Sequence, residues 1–198
     1  MAKILNIISS PRGESSVSIK LGNAIVDKLR EKDPASTVTV RDLTNGPFPH
    51  LEEAHLNAFF TPVEAHTDAN KAAISHSNEV VKEIMDADVI VIGAPMYNFT
   101  LSSTLKAWFD HIARAGITFK YGANGPEGLV TGKKVYVAMA SGGVYSGDAA
   151  GYDFLSPYVK HMLGFLGMTD VTIVRAEGLA VAGVQETALD KAIDSVTV

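Results

Sequence analysis

The chain has 198 residues, a formal net charge of −5 and no cysteine. That length suits one well-buried core, and with no Pro/Gly/Ser-rich linker or charge run it predicts a single domain over residues 1–198. Scattered Lys and Arg give no electrostatic reason for a nucleic-acid partner, and the missing cysteine removes disulfides, thiolate metal sites and cysteine nucleophiles.

Met1 to Ile8 is too short in its apolar part for a signal peptide, and nothing approaches the length of a membrane span, so a cytoplasmic protein is expected. Ile4 to Ile8 is an apolar strand interrupted at Asn6, ending in the turn-forming Ser9-Ser10-Pro11-Arg12-Gly13. Val17, Leu21, Ile25 and Leu29 recur at helical spacing, with Lys20, Asp27, Lys28 and Arg30 on the opposite face. Val38 and Val40 alternate with Thr37 and Thr39, as on an edge strand, and Asn45-Gly46-Pro47-Phe48-Pro49 breaks the chain. Leu51 to Asp68 is ambiguous and allows a short helix. Ile74, Val81, Ile84 and Met85 mark a longer one. Val89 to Gly93 reads as a central strand, Leu105, Trp108, Phe109 and Ile112 as a helical stripe, and Val135 to Ala140 as a further strand. Leu155, Val159, Met162 and Leu166 predict another helix, followed by a strand at Val171 to Val174 and a C-terminal helix.

Strands that alternate with helices need crossover connections, which favour an α/β fold with a parallel sheet and helices on both faces. Five strands fit a flavodoxin-like sheet of order 2-1-3-4-5, with the half-polar second and the short fifth strand at the edges. The loops after the first, third and fourth strands then emerge on one rim. Ser9 to Ser18 supplies hydroxyls and leads into a helix whose first amides are unpaired. That suits a phosphate, although Ser15, Ser16 or Ser18 could equally cap the helix. Pro95, Met96, Tyr97, Asn98 and Phe99 offer backbone groups and aromatic surface to a flat ring, or pack into the core. Ala140, Ser141, Gly142 and Gly143 let amides approach a ligand, or make a sharp turn. All three loops matching one ligand favours a mononucleotide, and a flavin in particular.

Other sites fail on spacing. The six histidines show no zinc pattern and read as surface or packing residues, so no metal is expected. Gly132-Lys133 lacks the first glycine and the Ser/Thr of a P-loop, Asp42 reads as a turn residue, and no Gly-x-Ser-x-Gly elbow is present.

Met96-Tyr97-Asn98-Phe99, Ala113-Arg114-Ala115-Gly116 and the run Asn124 to Lys134 resemble the bacterial FMN-dependent NADH:quinone oxidoreductases, or azoreductases. The similarity runs from Lys3 to the C-terminal helix. It implies that Ser10, Ser16, Val17 and Ser18 hold the FMN phosphate, that Met96 to Phe99 line the isoalloxazine, and that Ala140 to Gly143 contact its pyrimidine side. It also implies one tightly bound FMN per subunit, NADH or NADPH as donor, and quinones and azo compounds as acceptors in a ping-pong reaction. The subunits would form a homodimer, in which Tyr121 and Phe165 of one subunit lie over the flavin of the other and, with Phe99, sandwich flat substrates. Relatives such as the enterobacterial enzymes read Ser-Arg-Gly-Gly where this chain has Ala140-Ser141-Gly142-Gly143, so a hydroxyl and a guanidinium are missing there. The alternative is a flavodoxin-type electron carrier, monomeric and without a nicotinamide pocket.

Overall fold

The computed structural model describes residues 1–45 and 48–198. Its main sheet is built from β1 (Lys3–Ile8), β2 (Thr37–Asp42), β3 (Val89–Pro95), β6 (Lys134–Ala140) and β7 (Asp170–Ala176), all parallel in the order β2-β1-β3-β6-β7. This is the expected 2-1-3-4-5 arrangement. Two shorter strands, β4 (Phe119–Gly122) and β5 (Gly125–Gly128), form a separate antiparallel hairpin that the sequence reading does not anticipate. Its Gly, Asn and Pro content masks any alternation, because turn residues dominate so short a segment.

The helices are α1 (Val17–Lys32), α2 (Glu53–Phe60), α3 (Asp68–Ala73), α4 (Ser75–Asp86), α5 (Ser103–Ile112), α6 (Leu155–Leu166) and α7 (Ala188–Asp194). Interior strands bury alternate residues on opposite faces, since a strand's side chains point up and down in turn. Ile90 and Ile92 of β3 and Val135, Val137 and Met139 of β6 pack with Val80 and Ile84 of α4, Leu105, Trp108 and Phe109 of α5 and Leu163 of α6. Val91, Tyr136 and Ala138 face the other way, onto Leu21 and Ile25 of α1 and Ala192 of α7. Helices therefore cover both faces, and interior strands read as unbroken apolar runs. The polar interruption at Asn6 is satisfied at the margin of this second layer, where its buried Nδ2 donates to Oδ1 of the exposed Asn23 at 3.1 Å. At the edge, β2 is half-exposed as expected, with Val40 itself 56% exposed.

Two other boundaries differ from expectation. β3 continues beyond Gly93 through Pro95, which pairs with Ala140 of β6, because a proline at a strand end forfeits little of the ladder. Leu51 to Asp68 holds α2 and a 3-10 turn at Val63–Ala65, with α3 starting at Asp68. Of the expected breaker after β2, Gly46 and Pro47 lie outside the described residues. Asp42 is the turn residue expected, its Oδ1 accepting from the Thr44 amide and hydroxyl at 2.8 Å each. Lys133 donates to the carbonyls of Met85 and Ala87 at the end of α4.

The helix α2 docks through an aromatic cluster around His111. The ring of His111 lies 4.8 Å from His55 and 5.2 Å from Phe48, both edge-on, and its Nε2 sits 3.0 Å from the Pro49 carbonyl. Burial is the largest influence on His111 and lowers its pKa, with His55 and His76 acting the same way; the Pro49 carbonyl and Asp110 oppose them. A depressed pKa means the neutral ring's contribution is complete above the unfolded value of about 6.5 and is lost as pH falls through the folded one. Thermal unfolding from pH 7.5 down to 5 should therefore show a steeper loss of Tm in the native protein than in His111→Gln. Parallel curves would remove His111 as the cause.

Candidate active site

The C-terminal ends of β1, β3, β6 and β7 share one rim of the sheet, where open α/β folds bind ligands. A cleft of about 160 Å³ opens there. From the β1 loop it takes Ser10, Arg12, Ser16, Val17 and Ser18; from β3 Pro95, Met96 and Tyr97; from β6 Ala140, Ser141 and Gly142. Leu179 and Ala180, after β7, complete the wall. The sequence reading missed this fourth loop because its contribution is main chain. The available signal was topological, since a fifth parallel strand must also end on that rim.

The β1 loop settles whether its serines serve as caps. Ser16 is the N-cap of α1 by backbone geometry but makes no side-chain cap bond. Its hydroxyl pairs with that of Ser18 at 3.1 Å, both side chains buried, while the Ser15 hydroxyl turns away to the Arg12 carbonyl at 2.8 Å. Among the described residues the amides of Val17 and Ser18 have no protein acceptor. Free amides and buried hydroxyls at a helix start form an anion cradle, because the positive helix end adds to the hydrogen bonds.

The β3 loop is a tight turn closed by Tyr97 and Thr100, whose amides donate to each other's carbonyls at 2.9 and 3.1 Å. Within it Asn98 has φ +48° and Phe99 φ +71°. Asparagine tolerates the left-handed region; phenylalanine there is strained and persists only where its surroundings hold it. The Phe154 amide does so, donating to the Phe99 carbonyl at 3.1 Å. Asn98 is outside the small cleft's lining and belongs to that of a second cleft of about 980 Å³, with Phe48, Leu101 and Tyr158, while Tyr97 lines both. The wider cleft is larger, but it lacks both the serine cradle and the β6 glycines.

The β6 loop is held from behind. The carbonyls of Ser141, Gly142 and Gly143 accept from the amides of Leu179, Ala180 and Gly178 at 3.1, 2.9 and 3.0 Å. The amides of Gly142 and Gly143 have no acceptor among the described residues. A Cβ on Gly143 would meet the Tyr145 ring at 3.2 Å, so the loop fits only as glycine without displacing that ring. Gly143 itself lies beside the small cleft, outside its lining.

Of the three predicted stacking residues, Phe99 is 47% exposed and its ring neighbours are Tyr145 and Tyr152. Tyr121, 75% exposed, and Phe165 belong to a different cluster around Phe119, at 5.5 and 4.6 Å. Within one chain the two sets are separate.

A family model described as flavodoxin-like fold matches residues 2–197. An FMN-dependent NADH:quinone oxidoreductase of Herminiimonas arsenicoxydans is 52% identical over 181 residues, 91% of this chain and 89% of that protein. The chain belongs to the flavodoxin-like family of FMN-dependent NADH:quinone oxidoreductases. Among solved members of this family's fold, an azoreductase from Bacillus anthracis str. Sterne aligns with a TM-score of 0.87 at 32% identity, covering 98% of both chains. An FMN-dependent NADH-azoreductase from Bacillus anthracis str. Ames Ancestor, solved in complex with FMN, gives 0.87 at 31% identity, covering 97% and 94%.

Proposed function

We propose that this chain is an FMN-dependent NAD(P)H oxidoreductase that reduces quinones and aromatic azo compounds. The observation that carries the reading is the convergence of an anion cradle and the free Gly142 amide on one cleft, with the free amide of Gly143 beside it. In this reading Ser10, Ser16, Val17 and Ser18 hold the FMN phosphate through hydroxyls and first-turn amides. Pro95 to Phe99 line one side of the ring system, and Ala140 to Gly143 its pyrimidine end. Bound FMN supplies reversible two-electron chemistry between a nicotinamide donor and an oxidised acceptor that follow each other in one pocket.

The protein's own part is positional and electrostatic. Because residues 178–180 already occupy the carbonyls of the β6 loop, the amides of Gly142 and Gly143 are fixed in direction before any ligand arrives. Such preorganised donors stabilise negative charge developing at the pyrimidine end, each by about 3 kcal/mol where water is excluded. The contribution is main-chain, which accounts for the tolerance of Ala140 and Ser141 where enterobacterial relatives have Ser and Arg.

The reading further places residues 1–198 in one FMN-binding domain that pairs as a cytoplasmic homodimer. Tyr121 and Phe165 of one copy would then cover the open face of the site in the other, which explains why Tyr121 stands exposed and apart from Phe99. No helix among the described residues is long and apolar enough to cross a membrane.

The experiment is direct. The protein, loaded with FMN and mixed anaerobically with NADH, should lose its oxidised flavin colour within the mixing time and run as a dimer in solution. A flavin that stays oxidised, on a monomer, would make the chain an electron carrier instead.

A further inference from the structure

Beside the cleft, on the 143–154 segment, lies a set of rings that neither the phosphate cradle nor the glycine loop uses. Phe99 makes edge-on contact with Tyr145 at 6.3 Å and tilted contact with Tyr152 at 6.2 Å, spacings typical of interacting aromatic pairs. Tyr152 and Phe154 are 62% and 58% exposed. A contiguous exposed aromatic patch of this kind marks a surface that meets another apolar body.

The patch is exposed but firmly based. Tyr145 donates its amide to Glu177 Oε1 at 3.1 Å, and Asp153 Oδ1 accepts the amides of Leu155 and Ser156 at 3.0 and 2.9 Å. Arg175 fastens both ends, its Nη1 lying 3.3 Å from Glu177 and its Nη2 2.8 Å from Asp153. Burial raises the Asp153 pKa, but the Ser156 hydroxyl and amide and Arg175 outweigh it, so the carboxyl stays below the ordinary range and ionised. The segment is therefore pinned at 145 and 153, with the Phe154 amide tying it to the strained Phe99. Preordered aromatic surface binds flat partners with little conformational entropy lost.

We infer that Phe99, Tyr145 and Tyr152 form an acceptor shelf beside the cofactor cleft that favours extended, two-ring acceptors over single-ring ones. The inference rests on the function proposed above and adds which acceptors that site prefers. An acceptor of one ring seated against the bound cofactor ends there. A second ring, fused or joined through an azo bond, reaches the shelf and packs on the exposed surface of Phe99 and Tyr152. The shelf moves neither electrons nor protons: the two electrons come from NADH through the cofactor and the protons from donor and solvent, so its effect is on orientation and affinity alone.

The test compares methyl red, two rings joined by an azo bond, with para-benzoquinone on the FMN-loaded protein. In Tyr152→Ala the ratio of kcat/KM for methyl red to that for benzoquinone should fall about three- to tenfold, the worth of one aromatic contact. Tyr152→Phe should retain the native ratio. Calorimetric binding of methyl red to the oxidised protein without NADH should weaken by the same factor in the alanine variant. An unchanged ratio, an equal fall for both acceptors, or unaltered methyl red binding would each overturn the shelf. A native protein that turns over neither acceptor would instead refute the proposed function, with the binding measurement still deciding the shelf.

Discussion

Gly128→Ala is expected to destabilise the protein by about 3 kcal/mol or more, at the upper end of what overpacking costs. A Cβ at Gly128 would lie 2.1 Å from the Gly167 amide nitrogen and 2.2 Å from the Leu166 carbonyl carbon. Both are backbone atoms, so no side-chain rotation relieves the overlap. Either the β4–β5 hairpin lifts from the end of α6, or the left-handed turn at Gly167, with φ +101°, unwinds. The first course breaks the Val130 amide bond to the Leu166 carbonyl at 2.9 Å. For a chain of this size the loss corresponds to a fall in Tm of about 6–12 °C. Gly122→Ala is the matched control, since its Cβ would meet only the Gly125 carbonyl at 3.7 Å. Equal melting of the two variants would mean that the hairpin does not rest on α6 in solution.

Ser18→Ala should weaken FMN about ten- to hundredfold while leaving riboflavin affinity unchanged, the amount expected when one hydrogen bond to a charged group is lost. The side chain is fully buried, and its 3.1 Å partner is the Ser16 hydroxyl, not a helix amide. Removing it sacrifices one neutral hydrogen bond, worth about 1 kcal/mol, against a gain of about 0.5 in helix propensity, so stability should barely move. Fluorescence titration of the apoprotein with each flavin reads the difference. Equal weakening of both, or of neither, would place the phosphate elsewhere.

What could be read in advance divides along physical lines. The interior strands β1, β3 and β6 announce themselves because both faces are buried, and α1, α5 and α6 because one stripe is. The serine loop was legible as chemistry but not as a choice: phosphate cradle and helix cap use the same residue type, and only the direction of the Ser15 and Ser16 hydroxyls separates them. Leu179 and Ala180 were invisible because they act through amides, which every residue carries. Tyr145 and Tyr152 were missed for another reason. An aromatic side chain in an irregular loop has no period, and its meaning comes from the neighbour it meets, here Phe99. The hairpin's glycines suggested a motif, yet their purpose lies in the approach of two backbones distant in sequence.

The paired amides of Asn6 and Asn23 have a consequence at a distance. They favour one rotational setting of α1 against β1, since a slide or roll of the helix would take the exposed Asn23 away from its partner, the buried Asn6 amide. The serines at the head of that helix inherit the setting. A half-buried polar contact beneath α1 thus acts as an aiming device for hydroxyls at the helix head, and selection on how tightly the cofactor's tail is gripped can work on residues that never come near it.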